Sequence, residues 1–188
     1  MSDATPADEV PSIRTARLEL VSMSVPFLEA LAGRDVEEAA REVDAVVPVW
    51  LPEQLELFVQ YRLATLRVNP AARPWLGRSL VLKEPDGTRR VIGTVGFHAP
   101  PDEAGRVEIG YRLDSAYRRQ GYALEAVRGL MDWAAARGVH RFVASISPDN
   151  KASLSLAAKF GFERVGEQID DVDGLEYVFE TIWRPEER

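Results

Sequence analysis

One stretch of the chain, YRRQGYALEA at residues 117–126, has the residue types of a binding site for an anion. Arg118 and Arg119 are followed by Gly121 and the small Ala123, and the sequence continues as an apolar-periodic helix. The first turn of a helix has unpaired backbone N–H groups and a partial positive charge, which stabilise an anion. Glycine permits close approach to the backbone, and arginine adds charge-assisted hydrogen bonds. The stretch is therefore typical of a pyrophosphate site; the alternative is an ordinary solvated loop.

The composition of the chain excludes several other chemistries. With no cysteine, the chain has no disulfides, thiolate zinc sites or thiol nucleophiles. The two histidines, His98 and His140, are too few for a histidine-rich metal centre, and no serine lies in a G-x-S-x-G motif. We therefore expect no metal. The net charge of −7 argues against a nucleic-acid partner, because phosphate affinity requires clustered cationic side chains.

Length and hydropathy indicate one domain. The 188 residues are 46% hydrophobic, which is ample for a substantial core. No apolar run is long enough to span a bilayer, and the N-terminus is acidic where a secretory signal would be basic, so we expect a cytoplasmic protein without membrane attachment. Residues 1–12 are polar and contain prolines. They are predicted to form a flexible tail before a single domain at residues 13–184.

The hydrophobic periodicity predicts an α/β fold. Residues 17–23 alternate like a half-buried strand, and helical periodicity follows at residues 26–46, with a break near Gly33, and at residues 53–68. The next three strand-like runs form a predicted antiparallel meander; they are SLVLKE, RVIGTVGFH and RVEIGYRL, with the turn sequence PDGTR between the first two.

The second half of the chain alternates helices and strands. Helices are predicted near residues 122–137 and 150–160, and strands at RFVASIS and near residues 162–169 and 175–183. This order requires at least one parallel pairing. We expect a single mixed central sheet of six to seven strands, flanked by helices.

Two separated motifs carry a family resemblance. The pattern R-x-x-G-x-A at Arg118, Gly121 and Ala123 follows the strand VEIGYRL and precedes a helix, and SPDNKASLSLAAKFGF comes later in the chain. This combination resembles the GNAT superfamily of acetyl-CoA-dependent N-acetyltransferases. EIGYRL, GYALEAV and N-x-x-S…K-x-G-F are most similar to the branch of ribosomal-protein N-terminal acetyltransferases, the RimJ/RimL type. The likeness extends from IRTARLEL to YVFETI, which is most of the chain.

The resemblance implies acetyl-CoA as cosubstrate and assigns residues to its parts. The backbone amides of residues 119–123 would bind the pyrophosphate, and the cofactor-binding residues of this loop would be Arg118, Arg119, Gln120, Gly121, Tyr122 and Ala123. The preceding strand would pair through its backbone with the pantetheine arm, at Ile109, Gly110, Tyr111, Arg112 and Leu113. Asn150 would hydrogen-bond the pantetheine, and Ser153 would lie near the thioester sulfur. The alternative for Asn150 is a plain helix N-cap.

Acetyl transfer to an amine requires a group that accepts the amine's proton. Glu108 is the candidate, because it lies in an apolar strand and faces away from Val107 and Ile109, and similar strands in the superfamily carry the general base. The alternative is a solvent-facing strand glutamate. The tyrosine that is often the family's general acid is replaced by Ala157, so Ser153 is assigned this role. Departure of the thiolate without an acid is the other possibility.

The sequence says less about the acceptor. Acidic residues around a predicted hairpin turn would attract a cationic amine or form a solvated turn; they are Glu167, Asp170, Asp171 and Asp173. Trp50 and Trp75 lie on loops near helices that wall the acceptor cleft in similar proteins, or else at the edge of the core. His98 follows a strand; the alternatives are contact with the substrate and a structural or solvent-facing position, and the second is expected of a lone histidine at a strand end.

The leading hypothesis is an enzyme that transfers an acetyl group directly from acetyl-CoA to a primary amine in a ternary complex. The amine would belong to a protein N-terminus or to a small molecule. The missing tyrosine supports the alternative of a catalytically silent acyl-CoA-binding sensor or regulatory subunit. A plain interaction module would leave the loop at residues 118–123 without a purpose. Both a monomer and a homodimer are compatible with the sequence.

Overall fold

The computed structural model describes residues 10–172 and 174–185, in which there are eight strands, six α-helices and the short 3-10 helices Pro70–Trp75 and Ser115–Tyr117. The strands are β1 (Ile13–Arg14), β2 (Leu18–Ser22), β3 (Arg78–Lys83), β4 (Arg89–Phe97), β5 (Arg106–Leu113), β6 (Arg141–Ile146), β7 (Glu163–Asp170) and β8 (Gly174–Ile182). The helices are α1 (Val25–Ala32), α2 (Val36–Val43), α3 (Leu51–Gln54), α4 (Glu56–Val68), α5 (Tyr122–Ala135) and α6 (Lys151–Lys159).

The strands of this part of the chain form one mixed sheet in the order β1-β2-β3-β4-β5-β6-β8-β7. Only β5 and β6 are parallel neighbours; the other pairs in the described sheet are antiparallel. The predicted α/β class, the meander and the parallel pairing are therefore confirmed. The predicted count of six to seven strands was too low, because β1 has only two residues and so short a run shows no alternation.

The parallel pairing of β5 with β6 is short. It covers Arg106↔Arg141, Val107↔Phe142 and Glu108↔Val143. The antiparallel pairing on the other side of each strand continues further: β5 pairs with β4 as far as Leu113, and β6 pairs with β8 as far as Ile146. A gap therefore opens between β5 and β6 after Glu108.

The backbone of β5 faces this gap at alternate residues. The N–H of His98 donates to the carbonyl oxygen of Glu108 at 2.9 Å, so the backbone groups of Glu108 point at β4. Since hydrogen-bonding direction alternates along an antiparallel strand, Ile109 and Tyr111 point theirs toward β6. Because β5 and β6 no longer pair beyond Glu108, the backbone N–H and C=O groups of Ile109 and Tyr111 face the gap and have no hydrogen-bonding partner strand in the described sheet.

Two hydrophobic clusters lie on opposite faces of the sheet. Helix α5 packs its apolar stripe, which includes Leu130 and Met131, against one face, together with Phe97 and Phe142. Helices α1 to α4 pack on the other face, and Val81 belongs to their cluster while its strand neighbours Leu80 and Leu82 belong to the cluster of α5. This alternation is expected of a strand buried on both sides. We call the surface covered by α5 the α5 face. The opposite surface, covered by α1 to α4, also carries Glu108, and we call it the Glu108 face.

Most of the predicted N-terminal tail, residues 1–9, lies outside the described residues. Its described end contacts the fold, because the fully buried Arg78 guanidinium donates to the carbonyl oxygens of Pro11 (3.1 Å), Leu20 (3.2 Å) and Pro74 (3.0 Å). Burial lowers the pKa of Arg78 to about 10, so the side chain remains a cation at neutral pH. The domain boundaries stay a prediction. None of the helices in the described ranges is long and apolar enough to cross a membrane.

The α5 face gives a prediction about stability. Leu130 is 0% exposed, whereas Leu57 on α4 is 68% exposed. Because truncation of a buried leucine removes apolar contacts and leaves a cavity, Leu130→Ala should lower the free energy of unfolding by about 2–5 kcal/mol. The matched variant Leu57→Ala should change it by less than about 0.5 kcal/mol. Urea unfolding measures both values, and equal losses would contradict the assignment of α5 to the core.

Candidate functional site

The loop at residues 118–123 has a backbone suited to an anion. Arg119 (φ +61°) and Gly121 (φ +83°) adopt left-handed conformations, and Gly121 is the N-cap of α5 without a side-chain capping bond. Among the described residues, the N–H groups of residues 119–124 find no hydrogen-bond acceptor. Several free N–H groups at a helix N-terminus can bind a phosphate together.

The side chains of this loop stabilise its base and leave its outer surface open. The Nε of Arg118 donates to the carbonyl oxygen of Leu113 (3.2 Å), and the Nε2 of Gln120 donates to that of Ala116 (3.1 Å). Arg118, Arg119, Gln120 and Gly121 are exposed, whereas Tyr122 and Ala123 are half-buried at the start of α5. The loop therefore presents backbone amides and two arginines to solvent.

The gap between β5 and β6 is a cleft of about 340 Å³. The predicted site residues that line it are Ile109, Gly110, Tyr111, Arg112, Asn150 and Ser153. Leu113 is buried instead, and its carbonyl oxygen supports the loop through Arg118. Val127 of α5 also lines the cleft, so the helix that carries the free amides adjoins it. The cleft therefore lies beside β5 and α5, the two elements that the loop joins.

A pair of hydroxyl groups lies on the α5 side of the cleft. The hydroxyl oxygens of Tyr111 and Ser153 are 2.9 Å apart, and either can donate. Burial raises the pKa of Tyr111, and the hydrogen bond with Ser153 opposes part of this increase, so the phenol is protonated at neutral pH. The family resemblance implies a role only for the backbone of Tyr111. Its hydroxyl contact joins residues 42 positions apart and has no sequence signal.

Asn150 serves as the N-cap of α6. Its Oδ1 accepts a hydrogen bond from the N–H of Ser153 at 3.1 Å, so the capping alternative is observed. The side-chain NH₂ of Asn150 has no partner within the described residues and borders the cleft, which leaves it available to a ligand. Ala157 is buried in the wall of the same cleft.

Glu108 lies on the opposite face of the sheet from Val107 and Ile109, as expected. Its Oε2 is 3.6 Å from the Nδ1 of His98, a distance that is too long for a hydrogen bond but short enough for an ion pair when the imidazole is protonated. His98 lines the cleft, and Glu108 lies behind it. A Cβ on Gly110 would be 2.7 Å from the His98 Nε2, so any larger residue at position 110 would displace the imidazole ring.

His98 was not selected from the sequence because its partner depends on strand register. It lies across from Glu108 only when β4 and β5 pair as observed, with Phe97 opposite Ile109. A buried arginine holds this strand end: Arg62 is 4% exposed and donates to the carbonyl oxygens of His98 (2.6 Å) and Phe97 (2.9 Å). Burial lowers the pKa of Arg62 to about 10, and the guanidinium stays charged at neutral pH.

A second carboxylate, Glu176 on β8, lines the cleft. Gln168 donates both to its Oε2 (3.1 Å) and to the Ser145 hydroxyl (3.2 Å), which fixes it on the Glu108 face. No local pattern in the sequence indicates Glu176, because the alternation of a strand does not show which other elements each of its faces will contact.

The described acidic residues expected at the hairpin turn between β7 and β8 do not line the cleft, and two of them contact their own strand and turn. Glu167 accepts from Arg164 at 2.8 Å, Asp170 caps the turn by accepting from the N–H of Val172 at 2.8 Å, and Asp171 is exposed. Asp173 lies outside the described residues. These contacts favour the solvated-turn alternative for the described members.

The two tryptophans on loops also have structural partners. The Nε1 of Trp50 donates to the Oδ2 of Asp114 at 2.9 Å, beside the end of β5. Trp75 packs at the core edge, with ring centroids 5.9 Å from Phe97 and 5.0 Å from Trp133. Neither is among the residues that line the cleft. The described ranges also contain no cluster of three or more histidine, aspartate and glutamate side chains able to hold a metal ion.

The fold and site together define a class of protein. A mixed sheet that opens beside a helix N-terminus with free amide groups is the arrangement expected from the resemblance to the N-acetyltransferases. A family model described as "Acetyltransferase (GNAT) domain" matches residues 27–163, and the chain belongs to this family. The predicted family, fold class and enzyme class are therefore confirmed.

Individual proteins agree with this assignment. The uncharacterized N-acetyltransferase YjdG of Bacillus subtilis (strain 168) is 29% identical over 154 residues, which are 80% of this chain and 88% of the relative. A putative ribosomal-protein-serine acetyltransferase from Vibrio cholerae has a similar structure (TM-score 0.62, 23% identity, 92% of this chain and 97% of the other). So does RimL, a ribosomal L7/L12 α-N-protein acetyltransferase in complex with coenzyme A (TM-score 0.61, 19% identity, 92% and 98%). The predicted likeness to the RimJ/RimL branch is confirmed at the level of fold.

The loop conformation gives a prediction about ligand affinity. Gly121 and Gly138 both have φ +83°, but only Gly121 lies among the free amides, and a Cβ on Gly138 would contact nothing within 4 Å. Gly121→Val and Gly138→Val should each cost about 1–3 kcal/mol of stability through backbone strain. Only Gly121→Val should raise the Kd of acetyl-CoA, by about tenfold or more, because the side chain obstructs phosphate approach. Calorimetric titration of both variants tests this, and an unchanged Kd for Gly121→Val would remove the loop from the site.

Proposed function

We propose that the protein transfers the acetyl group of acetyl-CoA directly to a primary amine, with both substrates bound at once. The observation that carries this proposal is that one cleft reaches both faces of the sheet. Its α5 side is lined by Val127, from the helix that begins at the free amides, and by the Tyr111–Ser153 hydroxyl pair, and its other side has His98 and Glu176. Two substrates can therefore meet in the gap from opposite faces.

The residues of the loop and of β5 would hold acetyl-CoA, which supplies an activated acetyl thioester when bound. The amides of residues 119–124, with Arg118 and Arg119, would bind its pyrophosphate. The gap-facing backbone groups of Ile109 and Tyr111 would pair with the pantetheine arm, and the Asn150 NH₂ would donate to it.

The Glu108 face would receive the amine. Glu108 and Glu176 attract a cationic acceptor, and their charges favour its approach from this side of the sheet. The amine must lose a proton before it can attack, and His98 lies between the cleft and Glu108. We assign proton acceptance to the His98 Nε2, with the Glu108 carboxylate stabilising the resulting imidazolium from the Nδ1 side.

The hydroxyl pair would hold a proton on the other side. The protonated phenol of Tyr111 would donate to the Ser153 hydroxyl, which lies 2.9 Å away, and Ser153 would in turn donate into the cleft. This pair would take the role that a tyrosine at position 157 has in other family members. The replacement Ala157 supports the alternative function, a silent acyl-CoA-binding sensor, only if the hydroxyl pair and Glu108 contribute nothing to turnover.

The acceptor would be the N-terminus of a peptide or a small molecule that carries a primary amine. The decisive experiment is calorimetric titration with acetyl-CoA, followed by thiol-release assays against peptides with free N-termini and against small amines. Binding with release on any acceptor supports the enzyme. Binding without release on the whole panel favours the sensor, and absence of binding contradicts both functions.

The first catalytic prediction concerns the carboxylate behind His98. Glu108→Gln removes the charge that stabilises the imidazolium, so kcat should fall by about 10²–10⁴-fold while the Kd of acetyl-CoA changes little. Glu103→Gln makes the same chemical change at an exposed turn residue and should leave kcat unchanged. Steady-state kinetics on an active acceptor measure both. A Glu108→Gln enzyme as fast as the parent across pH would exclude Glu108 from the mechanism.

The second catalytic prediction concerns the hydroxyl pair. Tyr111→Phe and Ser153→Ala should each lower kcat by about 10- to 100-fold. Because each variant interrupts the same proton path, the double variant should be no slower than the slower of the two single variants. Tyr111→Phe keeps the ring and so the packing of β5. Additive losses in this double-mutant cycle would show that the two hydroxyls act separately.

A further inference from the structure

The turn between β1 and β2 contacts the start of α5 through one carboxylate. Glu125 Oε1 accepts from the Thr15 hydroxyl and from the Arg17 backbone N–H, both at 2.6 Å, and its Oε2 accepts from the Arg17 Nε at 2.7 Å. Burial opposes ionisation of Glu125, but the hydrogen bonds from Thr15 and Arg17 outweigh it and lower the pKa below its usual range. The carboxylate is therefore charged at neutral pH, and these are charge-assisted bonds.

The Arg17 guanidinium also touches the loop at three consecutive residues. Its Nη1 donates to the carbonyl oxygen of Gln120 at 3.0 Å, and the group lies 4.3 Å from the centroid of the Tyr122 ring. Its Nη2 would be 3.3 Å from a Cβ on Gly121. Among the described residues, Nη2 has no hydrogen-bond acceptor, so it is a free donor next to the free amides.

The loop requires such support for a physical reason. Arg119 adopts a left-handed conformation without being glycine, which costs free energy, and N–H groups that point in one direction repel each other. An ion pair between exposed side chains would contribute little. Here Glu125 is largely buried, with 15% of its side chain exposed, and Arg17 bonds both the helix and the loop.

We propose that Arg17 is a cofactor-positioning residue: clamped by Glu125, it holds residues 120–122 in their anion-binding conformation and directs its Nη2 to the pyrophosphate of the cosubstrate. The turn between β1 and β2 is thereby a third part of the cofactor site, besides the loop and the cleft. This inference rests on the proposed function, namely that acetyl-CoA binds at the loop.

The test compares Arg17, in the turn between β1 and β2, with Arg14, the last residue of β1. Arg14 is a matched control, because 83% of its side chain is exposed and its ion pair with Glu19 spans 3.8 Å. Arg17→Ala should raise the Kd of acetyl-CoA by about 10- to 100-fold, as expected when charge-assisted hydrogen bonds are lost. Arg14→Ala should leave it unchanged. Arg17→Lys keeps the charge but cannot bond Glu125 and Gln120 at once, so it should recover less than half of the loss on a logarithmic scale.

A truncated substrate separates this role from a merely structural one. S-acetylpantetheine has the thioester and the arm but no pyrophosphate, so Arg17→Ala should have the parent's kcat/KM with it and a lower kcat/KM only with acetyl-CoA. Equal losses with both substrates would show a general disturbance of the fold and overturn the proposal. If Arg17→Ala does not fold, Arg17→Lys gives the same comparison.

The outcome for the parent protein separates the two hypotheses. A parent that fails to bind acetyl-CoA contradicts the proposed function itself. A parent that binds acetyl-CoA while Arg17→Ala binds it equally well overturns only the role of Arg17.

Discussion

Strands β5 and β6 pair over only three residues, and the site depends on this short contact. Each strand satisfies most of its backbone with its outer antiparallel neighbour, and the two then diverge. A full ladder would use the backbone groups of Ile109 and Tyr111 and would close the passage between the faces of the sheet. Because the ladder stops at Glu108, residues from both faces border one cleft. Helices α5 and α6 on one face contribute further side chains to the lining of this cleft.

The two ends of the cleft differ in electrostatic character. Free N–H groups and arginines surround the start of α5, whereas the carboxylates of Glu108 and Glu176 lie on the opposite face. Arg112 lies on that face as well, and its guanidinium donates to the Oε1 of Gln54 at 3.1 Å. This polarity suits an anionic cosubstrate at one end and a cationic amine at the other. The buried Arg62 does not reverse it, since its guanidinium is directed at two backbone carbonyls of the β4 end. It acts there as a structural cation that holds the segment carrying His98.

The chain departs from the family pattern at Ala157, and two hydroxyl groups from other residues border the same cleft. A small residue on α6 leaves space in the cleft wall, and the adjacent hydroxyl pair comes from two different elements, Tyr111 on β5 and Ser153 on α6. The loop at residues 118–123 likewise combines residues from two separate parts of the chain. Its local sequence supplies the glycine and the arginines, and a distant turn supplies the contacts of Arg17 that hold it.

The sequence by itself determined the α/β class, nearly all helices and strands, the loop at residues 118–123 and the N-cap at Asn150, because each depends on periodicity or on residues close in the chain. Only the tertiary structure decided that His98 lies opposite Glu108, that Glu176 rather than the hairpin acids borders the cleft, and that Tyr111 meets Ser153. It also decided the Arg17 contact with Glu125. These pairings depend on strand register and on how elements pack, and the whole core sets both, so no local pattern encodes them.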